Sequence, residues 1–512
     1  MLNSDTLATV QPETSMVYDR LGRMESTINL DGLTLTYTYN NIDQMTTITY
    51  PEMNLNDGET TFLNNYNSTN PQLLDSTTDR SGNATSFTYT IRNQEETVTT
   101  SLGAVTTYAY DDLGRLVSES TDIDLDGTDD AALYTYDQFD QLETITFPDH
   151  VATTNERVQT RSYTKYGQLD TQTGAETYDV DYDYDLAGNQ TQMATQYGSA
   201  GTDAITIWYY NSRNQQERKE YADGTDYDYT YDDAGNLLTR TDALEQQTRY
   251  FYNAYNLLEI IDYPSDGDIR YVYDALGRRI DMYEGGSTDT NGVYSGGTLT
   301  EEWDYFVNNR VRLNKQYTSG YQLSYTYTGE GERANRTVDK IAGGDVWTLT
   351  YGYDSSGRMT SILDPQVSST AFAYTYKTNS NLLEDRINPN GSKVNQTYDI
   401  QGRLALIATK NSSGMDLDRH AYTYNKAGLR KDQTLLDNTI RDYQYDERRQ
   451  LTKADDGSAS FDFAYQYDAI GNRLRYATDG DLTDGESTDT TYTPNSLNQY
   501  SSFTPQSSPF KI

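Results

Sequence analysis

The chain contains no cysteine, which excludes disulfide staples and thiolate metal sites and fits a cytosolic or an exterior setting equally well. Only two histidines are present, His150 and His420, and neither belongs to a Ser/His/Asp pattern or a metal-ligand spacing. Both read as surface or turn residues. Hydrophobic residues total only 35%, and no apolar run approaches membrane-spanning length, so no membrane span is expected. Met1-Leu2-Asn3-Ser4-Asp5 is not a signal peptide, so any export signal is expected outside this chain. Positive charge is scarce as well: 39 Lys and Arg stand against 78 Asp and Glu, a net charge of −39. A field of that sign repels phosphate backbones and anionic lipid, which argues against nucleic-acid binding. Its simplest role is to keep a repetitive β protein from pairing edge to edge with its neighbours. Phosphate-binding loops, Walker motifs and dinucleotide fingerprints are missing. So is any convincing amphipathic helix.

What the chain does have is tyrosine, 49 of them, in a repeating context. Six copies of Tyr-x-Tyr-Asp-x-x-Gly-Arg/Asn are complete, with second tyrosines at Tyr110, Tyr184, Tyr231, Tyr273, Tyr353 and Tyr467. Allowing for decay, twenty such anchor tyrosines run from Tyr18 to Tyr467. Of the 19 intervals between them, 12 are 21 to 23 residues and 6 are 26 or 27, so one supersecondary unit is stacked many times. Two aromatics one residue apart face the same side of a strand. Asp after the anchor and Gly three residues later fit a type I turn closed by a left-handed residue, as in a hairpin with a Gly bulge. Numbering the turn from that Asp, position 4 is Gly in 11 copies, Asn in 5 (Asn70, Asn93, Asn214, Asn256, Asn309) and Asp in 2 (Asp43, Asp140). These are the residues that tolerate positive φ; only Ser380 and Arg449 depart. An apolar residue then starts a returning strand, and a second turn such as Asp223-Gly224 or Asn390-Gly391 leads to the next repeat. The expected fold is all-β: about twenty hairpins in a curled or spiral antiparallel strip, an open shell or partial cocoon. Its apolar layer should be a tyrosine ladder whose hydroxyls find partners. About forty strands at ~4.8 Å make a strip too short to seal a cargo alone.

By these motifs the sequence resembles the RHS/YD-repeat family: bacterial Rhs proteins, the C subunit of insecticidal toxin complexes and the YD shell of teneurins. The resemblance spans Tyr18 to Tyr500 and includes Leu497-Asn498-Gln499-Tyr500. It implies a hollow β-shell that, in bacterial members, encloses a C-terminal toxin and carries a self-cleaving post-repeat core. That core has an Asp-Pro-x-Gly-Leu stretch. Nothing after Tyr500 matches it, and Asp364-Pro365-Gln366 lies inside the array without Gly-Leu. Self-cleavage and a tethered toxin are therefore not carried over, and the resemblance implies shell wall and no more. The expected organisation is a leader at 1–17, the repeat shell at 18–500 with a loop or joint at 279–302, and a disordered tail at 501–512.

One local pattern points to a ligand. Asp122, Asp124, Asp126 and Asp130, with Gly127 at the sixth place, match positions 1, 3, 5 and 9 of a calcium loop; Leu133 stands where the bidentate Glu belongs. A solvated acidic hairpin tip explains the same residues, so calcium is a candidate rather than a requirement. Carboxylates are too numerous for a pair to signal catalysis, and no enzyme activity is expected. Two function classes stay open. One is a non-enzymatic shell wall that encloses or presents a toxin or other polypeptide cargo. The other is a secreted or cell-surface adhesin whose tyrosines meet a glycan or a protein.

Overall fold

The computed structural model describes residues 15–505 except 29–33, 51–59, 81, 122–130, 149–156, 198–201, 266, 307–308, 329–330, 345, 400, 426, 459–460, 483–488 and 496–498. Among the described residues there are 43 strands and no helix. The strands pair antiparallel in chain order. Ser15–Tyr18 pairs with Met24–Ile28, which pairs with Thr34–Tyr39, which pairs with Met45–Tyr50, and so on to Thr490–Pro494 with Tyr500–Pro505. The chain divides into two compact units. The first holds Met1–Val105, Phe251–Asn381 and Arg386–Pro389; the second holds Thr106–Tyr250, Leu382–Asp385 and Asn390–Ile512. Each unit thus combines an early and a late stretch of the strip.

Each hairpin closes as its turn chemistry requires. Gly114 donates its N–H to the Asp111 carbonyl at 3.0 Å, and Asp111 donates to the Arg115 carbonyl at 3.0 Å. The extra residue shifts the register just before the anchor tyrosine, as at Ala109/Tyr110, Thr230/Tyr231, Gly352/Tyr353 and Gln466/Tyr467. That is a Gly bulge. Gly114, Gly188, Gly235, Gly277, Gly357 and Gly471 have φ between +73° and +96°, and Asn93, Asn214 and Asn256 lie near +60°. Asp43, Asp140 and Asn309 do the same. Two copies differ from the sequence reading. Asn70 is not left-handed: Pro71 follows it, which biases the preceding residue toward extended backbone, and the loop lengthens until Asn67 N–H meets the Leu73 carbonyl at 2.9 Å. In the copy with Ser380, the left-handed residue is Asn379, one place earlier.

The two faces of the strip differ. Residues between the paired aromatics are exposed and pair across strands, as in Thr88 with Thr97 (2.7 Å) and Thr230 with Thr239 (2.6 Å). The anchor tyrosines are half-buried on the other face. Most of their hydroxyls donate to a return-strand carbonyl of the preceding repeat: Tyr136 to Leu116 (2.7 Å), Tyr163 to Leu142 (2.8 Å), Tyr210 to Gln190 (2.8 Å), Tyr424 to Leu404 (2.7 Å). This is the expected ladder, with one correction of scale. The core is a single thin layer whose buried apolar residues are mostly Ala and Val, and no large side chain is fully buried among the described residues.

The segment expected as a loop or joint at 279–302 is a long hairpin of the strip. Arg279–Thr288 pairs with Thr298–Tyr305 near its base and with Tyr294–Ser295 near its tip. Its glycines make room for one ring: a Cβ on Gly286 would fall 2.3 Å from the Tyr294 ring. Unit boundaries fall elsewhere, after Val105 and after Tyr250. At the end of the array, residues 501–505, expected as the start of a disordered tail, instead complete the strand Tyr500–Pro505. Residues 1–14 and 506–512 lie outside the described residues.

Candidate functional site

The repeated turn acts as a staple between successive repeats. Asp111 Oδ1 accepts the N–H groups of Leu113 and Arg115 at 2.9 Å each, while Oδ2 accepts Arg115 Nε at 2.8 Å. The carboxylate is held below its ordinary range by the Arg115 backbone N–H first and by the Arg115 side chain after burial is offset. Arg115 then reaches forward: Nη1 donates to Asp140 Oδ1 of the next turn at 2.7 Å, and its guanidinium lies 4.8 Å from the centre of the next anchor ring, Tyr136. The same link joins Arg23 to Asp43 (2.7 Å), Asn189 to Asn214 (3.1 Å), Arg278 to Asn309 (3.0 Å) and Arg358 to the Ser380 carbonyl (2.6 Å). Motif position 5 therefore serves two turns at once. Its Arg/Asn alternation was visible in the sequence, but its forward reach was not.

A second device joins distant stretches within the second unit. The Pro148 carbonyl accepts from Arg157 Nη1 at 3.0 Å and from Gln401 Nε2 at 2.5 Å, although Gln401 lies 253 residues further along. Glu176 forms an ion pair with the buried Arg157, and its other oxygen lies 3.9 Å from Arg449. Arg449 Nη2 also donates to the Ala427 carbonyl at 2.7 Å. A Cβ on Gly428 would fall 2.2 Å from Glu176 Oε2. Pro148 and Glu176 belong to the second-turn edge of the 106–250 stretch. Gln401, Gly428 and Arg449 belong to the opposite edge of the 390–512 stretch, formed by the motif turns that follow each anchor tyrosine, Asp-x-x-Gly in the full motif and called Asp-Gly turns from here on. Opposite edges of the strip thus meet at a seam. The first unit has a counterpart, where a Cβ on second-turn Gly103 would sit 3.4 Å from Asn379 of an Asp-Gly turn. Arg449 accepts a left-handed φ of 64° at a glycine position, and its long side chain is what reaches across the seam.

The arrangement offers little to catalysis. His420 Nδ1 accepts from Gln433 Nε2 at 2.8 Å, so its Nε2–H faces Asp418 at 3.0 Å, and both ring nitrogens are committed. Tyr443 extends this chain by donating to Gln433 at 2.6 Å. His150 lies outside the described residues. Two exposed-face carboxylates are pushed up, Asp181 by burial and then by Asp203, Asp170 and neighbouring acids, and Asp281 by burial and Glu302. The neighbours that raise them are other carboxylates, and Lys315 partly offsets the shift at Asp281. Among the described residues no group of three His, Asp or Glu side chains could hold a metal. The calcium candidates Asp122, Asp124, Asp126 and Asp130 lie outside the described residues. Among the described residues no helix could cross a membrane.

A strip of antiparallel hairpins, each with an Asp-capped turn, a left-handed fourth residue and a forward-reaching fifth, defines a YD-type repeat protein. Comparison with known families agrees over part of the array: residues 299–484 match the Teneurin YD-shell model and residues 231–267 match the RHS Repeat model. Among solved structures, the Photorhabdus luminescens Tc holotoxin pore is similar over 96% of this chain and 29% of its own, with 12% identity and a TM-score of 0.58. A TcdB2–TccC3–TEV crystal structure covers 94% of this chain and 25% of its own at 13% identity and a TM-score of 0.45. The likeness is one of fold, and the chain spans less than a third of the length of either relative. Curated proteins returned no match.

Proposed function

We propose that the chain is a non-enzymatic wall segment of a YD-repeat shell that encloses or presents a polypeptide cargo outside the cell or at its surface. The observation that carries this reading is the commitment of the motif side chains. Anchor hydroxyls, turn carboxylates and fifth-position Arg or Asn are spent on holding repeat to repeat, as in Tyr136, Asp111 and Arg115. A glycan-binding surface would need those rings free to stack, and their hydroxyls are instead given to backbone carbonyls. The fold likeness to a toxin complex supports a cargo of protein rather than sugar. Calcium at Asp122, Asp124, Asp126 and Asp130 would add a local brace and is not required by the wall.

The test is a small reporter domain fused after Ile512, with a photo-crosslinker placed in turn at positions of either parity along the strands. A wall that presents cargo gives reporter cross-links from one parity only, either the Thr88 and Thr135 face or the Tyr89 and Tyr136 face. Cross-links of both parities at equal yield, or selective binding on a glycan array, would sink the reading in favour of an adhesin.

A further inference from the structure

The seam in the second unit joins the second-turn edge of one stretch to the Asp-Gly turn edge of another, and each stretch therefore keeps one edge unused. Those outer edges are where the apolar side chains are exposed. On the Asp-Gly turns of the 106–250 stretch, Leu113, Phe139, Tyr166 and Leu186 are each exposed by two thirds or more, one per hairpin. On the second-turn edge of the 390–512 stretch, Met415 at the end of a turn, and Leu417 and Ile440 at the starts of the strands that follow, are exposed by more than half. Within this unit these seven are the large apolar side chains exposed by more than half, among the described residues. The covered edges are the more polar ones, with Gln401, Arg449, Arg157 and Glu176 in the contacts. A hydrophobic edge left in water next to a polar edge that is covered calls for a partner. In the first unit the exposed apolar side chains are not confined in this way: Leu21, Ile42 and Ile91 stand on early motif turns and Val293, Val346 and Val367 on late second turns, but Tyr255 stands exposed on a late motif turn as well.

We propose that the two apolar edges dock onto each other between copies of this chain, head to tail. The Asp-Gly edge carrying Leu113, Phe139 and Tyr166 of one copy sits on the second-turn edge carrying Met415, Leu417 and Ile440 of the next. The pairing of edge types is the one the chain already makes internally at Glu176 and Gly428, so the contact continues an existing interface. Because the two surfaces are different, the contact is heterologous: it leaves both outer edges free again and can add further copies. The net charge of −39 opposes this assembly at low salt, and screening should favour it. The inference rests on the wall reading only for what is being built, since docking is measured without cargo or glycan.

Sedimentation velocity on the full chain decides it. Wild type should grow beyond a dimer with concentration and with added salt. The triple variants Leu113→Ser/Phe139→Ser/Tyr166→Ser and Met415→Ser/Leu417→Ser/Ile440→Ser should each stay monomeric, with the β circular dichroism of wild type. Mixed together, they should form a 1:1 dimer that grows no further, because each still offers one intact edge. A wild type that is monomeric at every salt overturns the proposal and leaves these edges to an unrelated protein. A dimer that survives both triple variants overturns it too. Either result leaves the reporter cross-linking test of the wall untouched.

Discussion

In the second unit, one turn is used under opposite conditions. The Asp-Gly turns of the 106–250 stretch stand in water, whereas those of the 390–512 stretch lie against a second-turn edge. Backbone, cap and bulge are the same in both: Gly188 and Gly428 are both left-handed and both donate to position 1. What differs is what the environment asks of the residues that the repeat leaves unspecified. In the open stretch the third turn position carries Leu113, Phe139 and Tyr166; in the covered stretch it carries Gln401, Ala427 and Arg448. The repeat specifies a hairpin, and the seam specifies the exceptions.

Acid should abolish this difference together with the turns themselves, which makes it the largest effect. Asp111 is held low by the Arg115 N–H, and Asp185 by the Asn189 side chain, so each folded value lies below the ordinary 3.8. The stability these caps contribute is complete above the unfolded value and is lost as pH falls through the lower folded values. Hydrogen exchange should therefore rise below about pH 4 in the open stretch, which holds both of these caps. Loss confined to the covered stretch would show that the caps are not the acid-sensitive element. At the other extreme, Tyr136 and Tyr231 are raised above 10 by burial, so their contribution is complete below pH 10 and is lost as pH rises through the higher folded values.

Next in size is the seam itself. Glu176→Ala leaves the buried Arg157 without its carboxylate and should cost about 2–3 kcal/mol in urea unfolding, the lower part of the range for buried pairs because Glu176 is partly solvated. A cost below about 0.5 kcal/mol would mean that Glu176, which pairs with Arg157 in its own stretch and faces Arg449 across the seam, does not brace that edge. Gly428→Ala should cost about 2 kcal/mol, combining a strained φ with displacement of the Glu176 carboxylate, whereas Gly235→Ala in the open stretch should cost about 1 kcal/mol from strain alone. Equal costs would erase the distinction between the two edges. Arg449→Gly relieves a left-handed arginine but removes its contacts with Ala427 and Glu176, so the net change should fall within about 0.5 kcal/mol of zero. The smallest effect is local. Calorimetric titration should detect weak calcium binding that Asp124→Ala and Asp126→Ala abolish, with no change at either edge; absence of heat leaves a solvated acidic tip.

Much of the repeat could be read in the chain before any coordinates. Asp at position 1 and Gly, Asn or Asp at position 4 report local backbone chemistry, and local chemistry is written where it acts. Asn70 was misread although Pro71 stood beside it, since the effect of proline on its predecessor competes with the tolerance of Asn for positive φ. Arg449 was illegible for a different reason. Its departure from glycine answers to Glu176, far away in the sequence and adjacent in space, and no spacing rule connects them. The same holds for Gln401 and Pro148. The apolar tips were also passed over, because Leu113 or Phe139 in a turn looks ordinary until its exposure is known.

The tyrosine ladder has a direction, and this bears on how the chain is made. The anchor hydroxyls that bond to the strip donate backward, as Tyr136 does to Leu116 and Tyr163 to Leu142, so the acceptor has been synthesised first. A repeat leaving the ribosome finds its docking surface already built and closes over a loop of some twenty residues, a short entropic step. Folding can then advance one hairpin at a time at the pace of translation, with no need to wait for the C-terminus. Nascent chains arrested after successive anchors should gain protease protection in equal increments. Protection arriving all at once, only after the covered stretch has emerged, would instead make the seam the nucleus.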